Sequence, residues 1–146
     1  MVSFKQSTAD PQSLAEAKRI HEAWNAALEA RDAEGLAALY AEDATLESPL
    51  IAYLLRTERG TLEGRERLRK FFPLVFEHQP EERQTFRHNV FFDGRTMMWE
   101  YPRAAPEGDQ MDFTEVMEIG DGKIKRHRVY WGWLGVNTLT SESHRR

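Results

Sequence analysis

Three short stretches place groups capable of proton chemistry in apolar surroundings. "FTEVMEI" over 113–119 reads as a β-strand, whose side chains alternate between faces with a period of two. Phe113, Glu115, Met117 and Ile119 then share a face, so Glu115 is a carboxylate in an oily row. In "MMWEYPR", Glu100 shares a face with Met98 and Pro102, while Met97, Trp99, Tyr101 and Arg103 take the other. In "IKRHRVYWGWL", His127 shares a face with Lys125, Val129, Trp131 and Trp133. If the 96–103 and 110–119 strands pair through the 104–109 connection, Glu100 falls near Glu115. Two carboxylates close together in an apolar cavity have separated pKa values, because desolvation and repulsion raise at least one. Such a pair can serve as proton donor and proton acceptor at neutral pH, with His127 as a shuttle.

A simpler reading competes at each position. A strand glutamate on an apolar face can pair with a buried arginine, and the Asp93-Gly94 turn would set Arg87 opposite Glu100. His127 can be a satisfied core histidine. The face of His88 depends on the hairpin register, His21 belongs to a helix stripe and His144 to the tail. "VYWGW" reads most simply as core or dimer interface, although Gly132 between two tryptophans would also leave room for a flat ligand. "GTLEGRERLRK" matches no phosphate-loop pattern, and no spaced His/Asp cluster argues for a metal.

The elements that must position these groups follow from periodicity. Leu14, Ala17, Ile20, His21, Trp24, Ala27 and Leu28 mark one buried helical stripe, with Asp10-Pro11 as N-cap and first-turn proline, or Ser13 to Glu16 as a capping box. "RDAEGLAALYAED" predicts a short second helix capped by Asp32. "ATLESPL" predicts a strand ended near Pro49, and "IAYLLRTERGTLEG" a loop over a pocket mouth. "GRERLRKFF" is helical, with Pro73 breaking it or starting a new turn. From Pro80 onward the pattern is extended: a hairpin with Asp93-Gly94 as a type I′ turn, then strands joined at 107–109 and 120–123. The final strand spans 124–134, and "NTLTSESHRR" reads as a loose tail. Helices first and a meander of antiparallel strands after them make an α+β arrangement, with helices on one face of a curved sheet.

The bulk numbers agree with one globular, soluble domain. A chain of 146 residues can bury roughly 70% of the surface its unfolded form exposes, enough for a core with a pocket in it. Net charge is −4, without the basic footprint of a sequence-independent nucleic-acid binder. There is no cysteine, which excludes disulfides, thiolate chemistry and cysteine-ligated metals and is compatible with a cytoplasmic location. "MVSFKQSTADPQ" has no apolar h-region, and no run of about 18 apolar residues predicts a membrane span.

"ALYAEDATLESPL", "GRERLRKFF" and "TEVMEIGDGKIKRHRVYW" together resemble the nuclear transport factor two superfamily. Within it they are similar to the SnoaL-like polyketide cyclases and ketosteroid isomerase, over about residues 13 to 134. The resemblance implies a single domain over 1–146: a cone-shaped α+β roll whose strongly curved, mainly antiparallel sheet wraps N-terminal helices around a deep apolar pocket, usually as a homodimer. Carried over by position, Ser48 stands where the isomerase has its general-base aspartate, and Trp24 where it has a first-helix tyrosine. Glu115 stands at the oxyanion-hole acid kept protonated in that family, and Trp131 at its pocket tryptophan. Limonene epoxide hydrolase offers a second comparison, with Glu100 at its catalytic aspartate, Met98 at its arginine and Val129 at its second aspartate. The SnoaL-like cyclases pair a carboxylic residue with a cavity histidine, which leaves Glu115 or Glu100 with His127 or His88.

The expectation is cofactor-free acid/base chemistry on a small apolar carbonyl or cyclic compound: isomerisation, cyclisation or dehydration. Glu115, Glu100 and His127 would carry it, and Trp24, Ser48, Met98 and Trp131 would shape the cavity. No metal, nucleic acid or membrane is implied, and a homodimer is. The competing expectations are a non-catalytic module holding a hydrophobic ligand or a partner protein, and a structural dimer whose sheet face carries Met97, Trp99 and Tyr101.

Overall fold

The computed structural model describes residues 3–4, 9–79, 89–100, 103–104 and 110–141. The elements run β1 (Ser3–Phe4), α1 (Pro11–Ala30), α2 (Ala33–Ala37), β2 (Tyr40–Glu47), α3 (Pro49–Leu55), β3 (Thr61–Glu63) and α4 (Arg65–His78). β4 (Asn89–Phe92), β5 (Thr96–Glu100), β6 (Arg103–Ala104), β7 (Gln110–Met111), β8 (Phe113–Gly120), β9 (Lys123–Trp131) and α5 (Trp133–Ser141) follow. Seven strands form one sheet in the order β1-β4-β5-β8-β9-β2-β3, and β6 pairs with β7. The curved sheet is mostly antiparallel; β1 against β4 and β2 against β9 are its parallel pairs.

The helix starts obey their caps. Asp10 accepts the Ser13 N–H at 3.0 Å with Pro11 in the first turn, so the Asp10 cap is the one used. Asp32 accepts the Gly35 N–H at 2.9 Å. The expected stripe of α1 is buried from Ala17 to Leu28 and packs on the sheet, with Trp24 and His21 edge-on to Trp99.

Four expectations about elements are corrected. Residues 49–55 form α3 rather than a loop, because Pro49 ends β2 and also occupies the first turn of a helix that Ser48 caps. α4 runs through Pro73 unbroken: Leu68, Phe71, Phe72 and Phe76 are buried along one side, which outweighs the missing N–H on the exposed side. The final strand ends at Trp131 rather than at 134, and 133–141, which includes the start of the expected loose tail, is helical, with Gly135 packed against Trp131. The Asp93-Gly94 turn is not type I′, since only Gly94 has positive φ; Asp93 instead accepts the N–H groups of Arg95 and Thr96 at 2.9 and 2.7 Å. The type I′ pattern, φ positive at both central residues, occurs at Asp121 and Gly122 between β8 and β9.

Register decides what reaches the interior. Trp99 lies opposite Glu115 and Glu100 opposite Thr114, one residue away from the expected pairing. A one-residue slip exchanges the faces. Met97 and Trp99 are therefore core residues packed with Met117, and cannot be the outer face of a structural dimer. Glu100 and Met98 point outward beside Phe91 and Tyr130, which supply exposed apolar surface on that face. The β4–β5 register sets Val90 opposite Trp99 and Phe91 opposite Met98. Arg87, His88, Tyr101, Pro102 and His144 lie outside the described residues. A bulge at Lys125 lets Ile124 and His127 both face inward although their numbers differ in parity.

On the outer face, Glu118 accepts from Arg128 at 2.7 Å and from Arg95 at 3.2 Å. The Arg128 hydrogen bond, reinforced by the nearby guanidinium charges, holds its carboxyl below the usual range. A depressed folded-state pKa gives stability that is present above the unfolded value and lost as pH falls through the folded one. Glu118→Gln is expected to cost about 1 kcal/mol at neutral pH. That loss should shrink toward zero below about pH 4, as urea unfolding at several pH values will show.

Candidate active site

The cone closes on a cavity between α1, α4 and the concave face of the sheet. About 110 Å³ of it is open to the centre of a water-sized sphere, room for several waters or one small organic molecule. Its wall is largely apolar and aromatic: Trp24, Phe71, Phe72, Phe113 and Trp131 among others. Among the described residues, the ionisable side chains lining it are Tyr40, His78, Glu115 and His127, with no lysine or arginine.

Glu115 and His127 meet at the cavity wall. β8 turns Glu115 inward between Phe113 and Met117, and β9 turns His127 inward after its bulge. His127 Nε2 and Glu115 Oε2 are 2.9 Å apart, and each residue is only 3% exposed. The other ring nitrogen, Nδ1, lies 2.8 Å from the hydroxyl of Tyr40, which is 1% exposed. The Trp24 ring stands edge-on to the His127 ring, with centroids 6.0 Å apart. Burial pushes the Tyr40 phenol far above its ordinary pKa; the Trp24 indole opposes that rise and the nearby Glu115 adds to it, so Tyr40 stays protonated. Tyr40, His127 and Glu115 form one buried polar row from β2 through β9 to β8.

The expected site residues divide cleanly. Glu115, His127, Trp24, Ser48 and Trp131 all line the cavity. Ser48 is buried there, but its Oγ accepts the Leu50 N–H at 3.2 Å as the cap of α3, and its own N–H donates to the Gly60 carbonyl at 2.8 Å. Glu100 and Met98 are not in the site: both are exposed on the outer face, Met98 at 42%, because of the register between β5 and β8. Gly132 leaves no room for a ligand in the cavity, since it is exposed between β9 and α5, where an added Cβ would touch Asp112. His21 sits in the α1 stripe as expected, against Phe4 and Trp99. Tyr40 was missed. "ALYAED" reads as the end of a helix, and only the parallel pairing of β2 with β9 shows that Tyr40 faces the strand of His127. His78 and Gln79, which also line the cavity, carried no signal beyond their place at a helix end.

Among the described residues, no group of three or more histidine, aspartate or glutamate side chains is arranged to hold a metal ion. None of their helices is long and apolar enough to cross a membrane.

A curved sheet wrapped over N-terminal helices, with an aromatic cavity ending on a buried carboxyl–imidazole pair, defines a cone-shaped α+β roll of the nuclear transport factor two type. The chain belongs to the SnoaL-like domain family, whose model matches residues 21–127. Solved structures agree on the fold. An NTF2-like protein of unknown function from Mesorhizobium loti is 18% identical over 90% of this chain and 99% of that one, with a TM-score of 0.66. A candidate isomerase from Bacillus subtilis is 19% identical over 90% and 96%, with a TM-score of 0.67. A de novo designed protein with a curved β-sheet is 20% identical over 88% and 94%, with a TM-score of 0.64. No curated protein matches the sequence.

Proposed function

We propose that the cavity is an active site for cofactor-free proton transfer on a small, apolar, uncharged carbonyl or cyclic compound. The reaction class is isomerisation, cyclisation or dehydration. One observation carries the proposal: Glu115 and His127 are 2.9 Å apart and both buried, at the wall of a largely apolar cavity. A carboxylate has about four acceptor positions and can receive a proton on one oxygen while the other accepts a hydrogen bond. Glu115 would take a proton from a carbon next to a carbonyl, leaving the bonding electrons in an enolate. Its acid form would return that proton at the new position. His127 would hold the carboxylate in place and Trp24, Ser48 and Trp131 would shape the cavity. An anionic substrate would meet Glu115 with no lysine or arginine among the described lining residues to balance it, which favours neutral compounds.

The test is a panel of ketones and cyclic enones incubated in deuterated water, with carbon-bound deuterium followed by proton NMR. Exchange or isomerisation that Glu115→Gln abolishes supports the proposal. A bound compound that never exchanges would instead mark a binding module. Glu100→Gln serves as the control and is expected to match the wild type in rate, because Glu100 is on the opposite face of the sheet. A large loss in Glu100→Gln would overturn the assignment of faces.

A further inference from the structure

We infer that Tyr40 is a positioning residue that fixes the tautomer of His127, so that the imidazole proton sits on Nε2 and is directed at Glu115. The inference rests on the proton-transfer reading for its catalytic consequence only; the tautomer itself can be measured without substrate.

The argument is a count of hydrogens. The phenol is 1% exposed and has one hydrogen to place. Among the described residues, the acceptor at hydrogen-bond distance is His127 Nδ1, at 2.8 Å. If Tyr40 donates there, Nδ1 carries no proton, and a neutral imidazole must carry it on Nε2. Nε2 lies 2.9 Å from Glu115 Oε2, so the proton completes a donor-to-acceptor row: Tyr40 to His127, His127 to Glu115. The reverse arrangement, with Nδ1–H donating to Tyr40, leaves the phenol hydrogen without the acceptor at 2.8 Å and turns Nε2 into an acceptor facing the carboxyl.

The direction of the row has a chemical consequence. With the proton on Nε2, His127 offers a donor to Glu115, and the carboxyl is the end of the row that receives protons. With the proton on Nδ1, Glu115 would have to be the protonated partner and the base would be blocked. Tyr40 thus acts through His127, without needing to touch the reacting atoms, to keep Glu115 in its accepting role. Tyr40 reaches this place because β2 lies parallel to β9, with Leu46 opposite His127.

The experiment is long-range proton–nitrogen NMR of the histidine rings in uniformly ¹⁵N-labelled full-length protein at neutral pH, with His127 assigned through His127→Gln. The expected result is an unprotonated Nδ1 and a protonated Nε2, with widely separated nitrogen shifts. A proton on Nδ1, or on both nitrogens, would overturn the inference in the wild-type protein alone. Tyr40→Phe keeps the ring and removes only the hydroxyl. It should bring the two shifts together as the second tautomer becomes populated, and should lower kcat by about tenfold with little change in KM. Unchanged His127 shifts in Tyr40→Phe would also overturn the inference. If the tautomer is as expected and no compound in the panel is turned over, the proton-transfer reading fails while the assignment of the row stands.

Discussion

Glu115→Gln is expected to lower turnover by about 10²–10⁴-fold and to leave the fold intact. The amide has nearly the shape of the carboxylate, and its oxygen can still accept the hydrogen that His127 Nε2 places 2.9 Å away. What the substitution removes is basicity. The effect should therefore appear in kcat, measured by initial rates on any compound that exchanges, with thermal unfolding close to wild type. A variant that stays active would mean that another group takes the proton. Loss of activity with collapse of the unfolding temperature would mean that Glu115 is needed for packing rather than chemistry.

Gly60→Ala is expected to be a costly single-methyl change outside the core. An added Cβ would clash with the Ser48 carbonyl oxygen and lie 3.1 Å from its carbon. Those atoms are backbone and cannot swing aside. The segment cannot simply retreat either, because the Ser48 N–H is bonded to the Gly60 carbonyl at 2.8 Å. The strain should cost about 1–3 kcal/mol in urea unfolding. It should also reach the site, because Ser48 caps α3 and both Ser48 and Leu50 line the cavity. Ligand affinity should fall along with stability. Gly132→Ala is the matched control, since its Cβ would make only an ordinary 3.6 Å contact with Asp112. Equal stability for the two variants would show that the β2–α3 corner yields more easily than its geometry indicates.

The contrast between Glu115 and Glu100 shows what could be read from the chain and what could not. Strand alternation is local, so a carboxylate between Phe113 and Met117 was legible as an inward acid, and β8 is where it was expected. Whether Glu100 joined it depended on the pairing of two strands across a connection, and one residue of register moved it from the cavity to the outer face. His127 was legible for a partly accidental reason: the bulge at Lys125 changes which residues before it face inward, but leaves Val129 and Trp131 on its side. The helix stripe of α1 was read almost residue by residue because periodicity and caps act within a few residues. α5 was not, because "WLGVNTLTS" has poor intrinsic helix formers and is held by packing of Gly135 on Trp131. Tyr40 was hidden for the opposite reason. Its partner is 87 residues away, joined through a parallel strand pair that no local pattern announces.

That same parallel pair sets the order in which the molecule can be made. A domain synthesised from its N-terminus exposes α1, β2 and α4 first, with Trp24, Tyr40, Phe71 and Phe72 on their inner sides. None of these can be covered by the inner face of β8 and β9 until residues 113–131 have been added and β9 has slotted between β8 and β2. Contacts of such long sequence separation fold slowly, because the loop must close before its contacts form. The pairing that sets Tyr40 beside His127 spans 87 residues, whereas Glu115 and His127 meet across the short β8–β9 hairpin, 12 residues apart. A chain made only as far as α4 carries an oily inner surface and no acid–imidazole pair, and the same hairpin supplies both the pair and the cover for that surface.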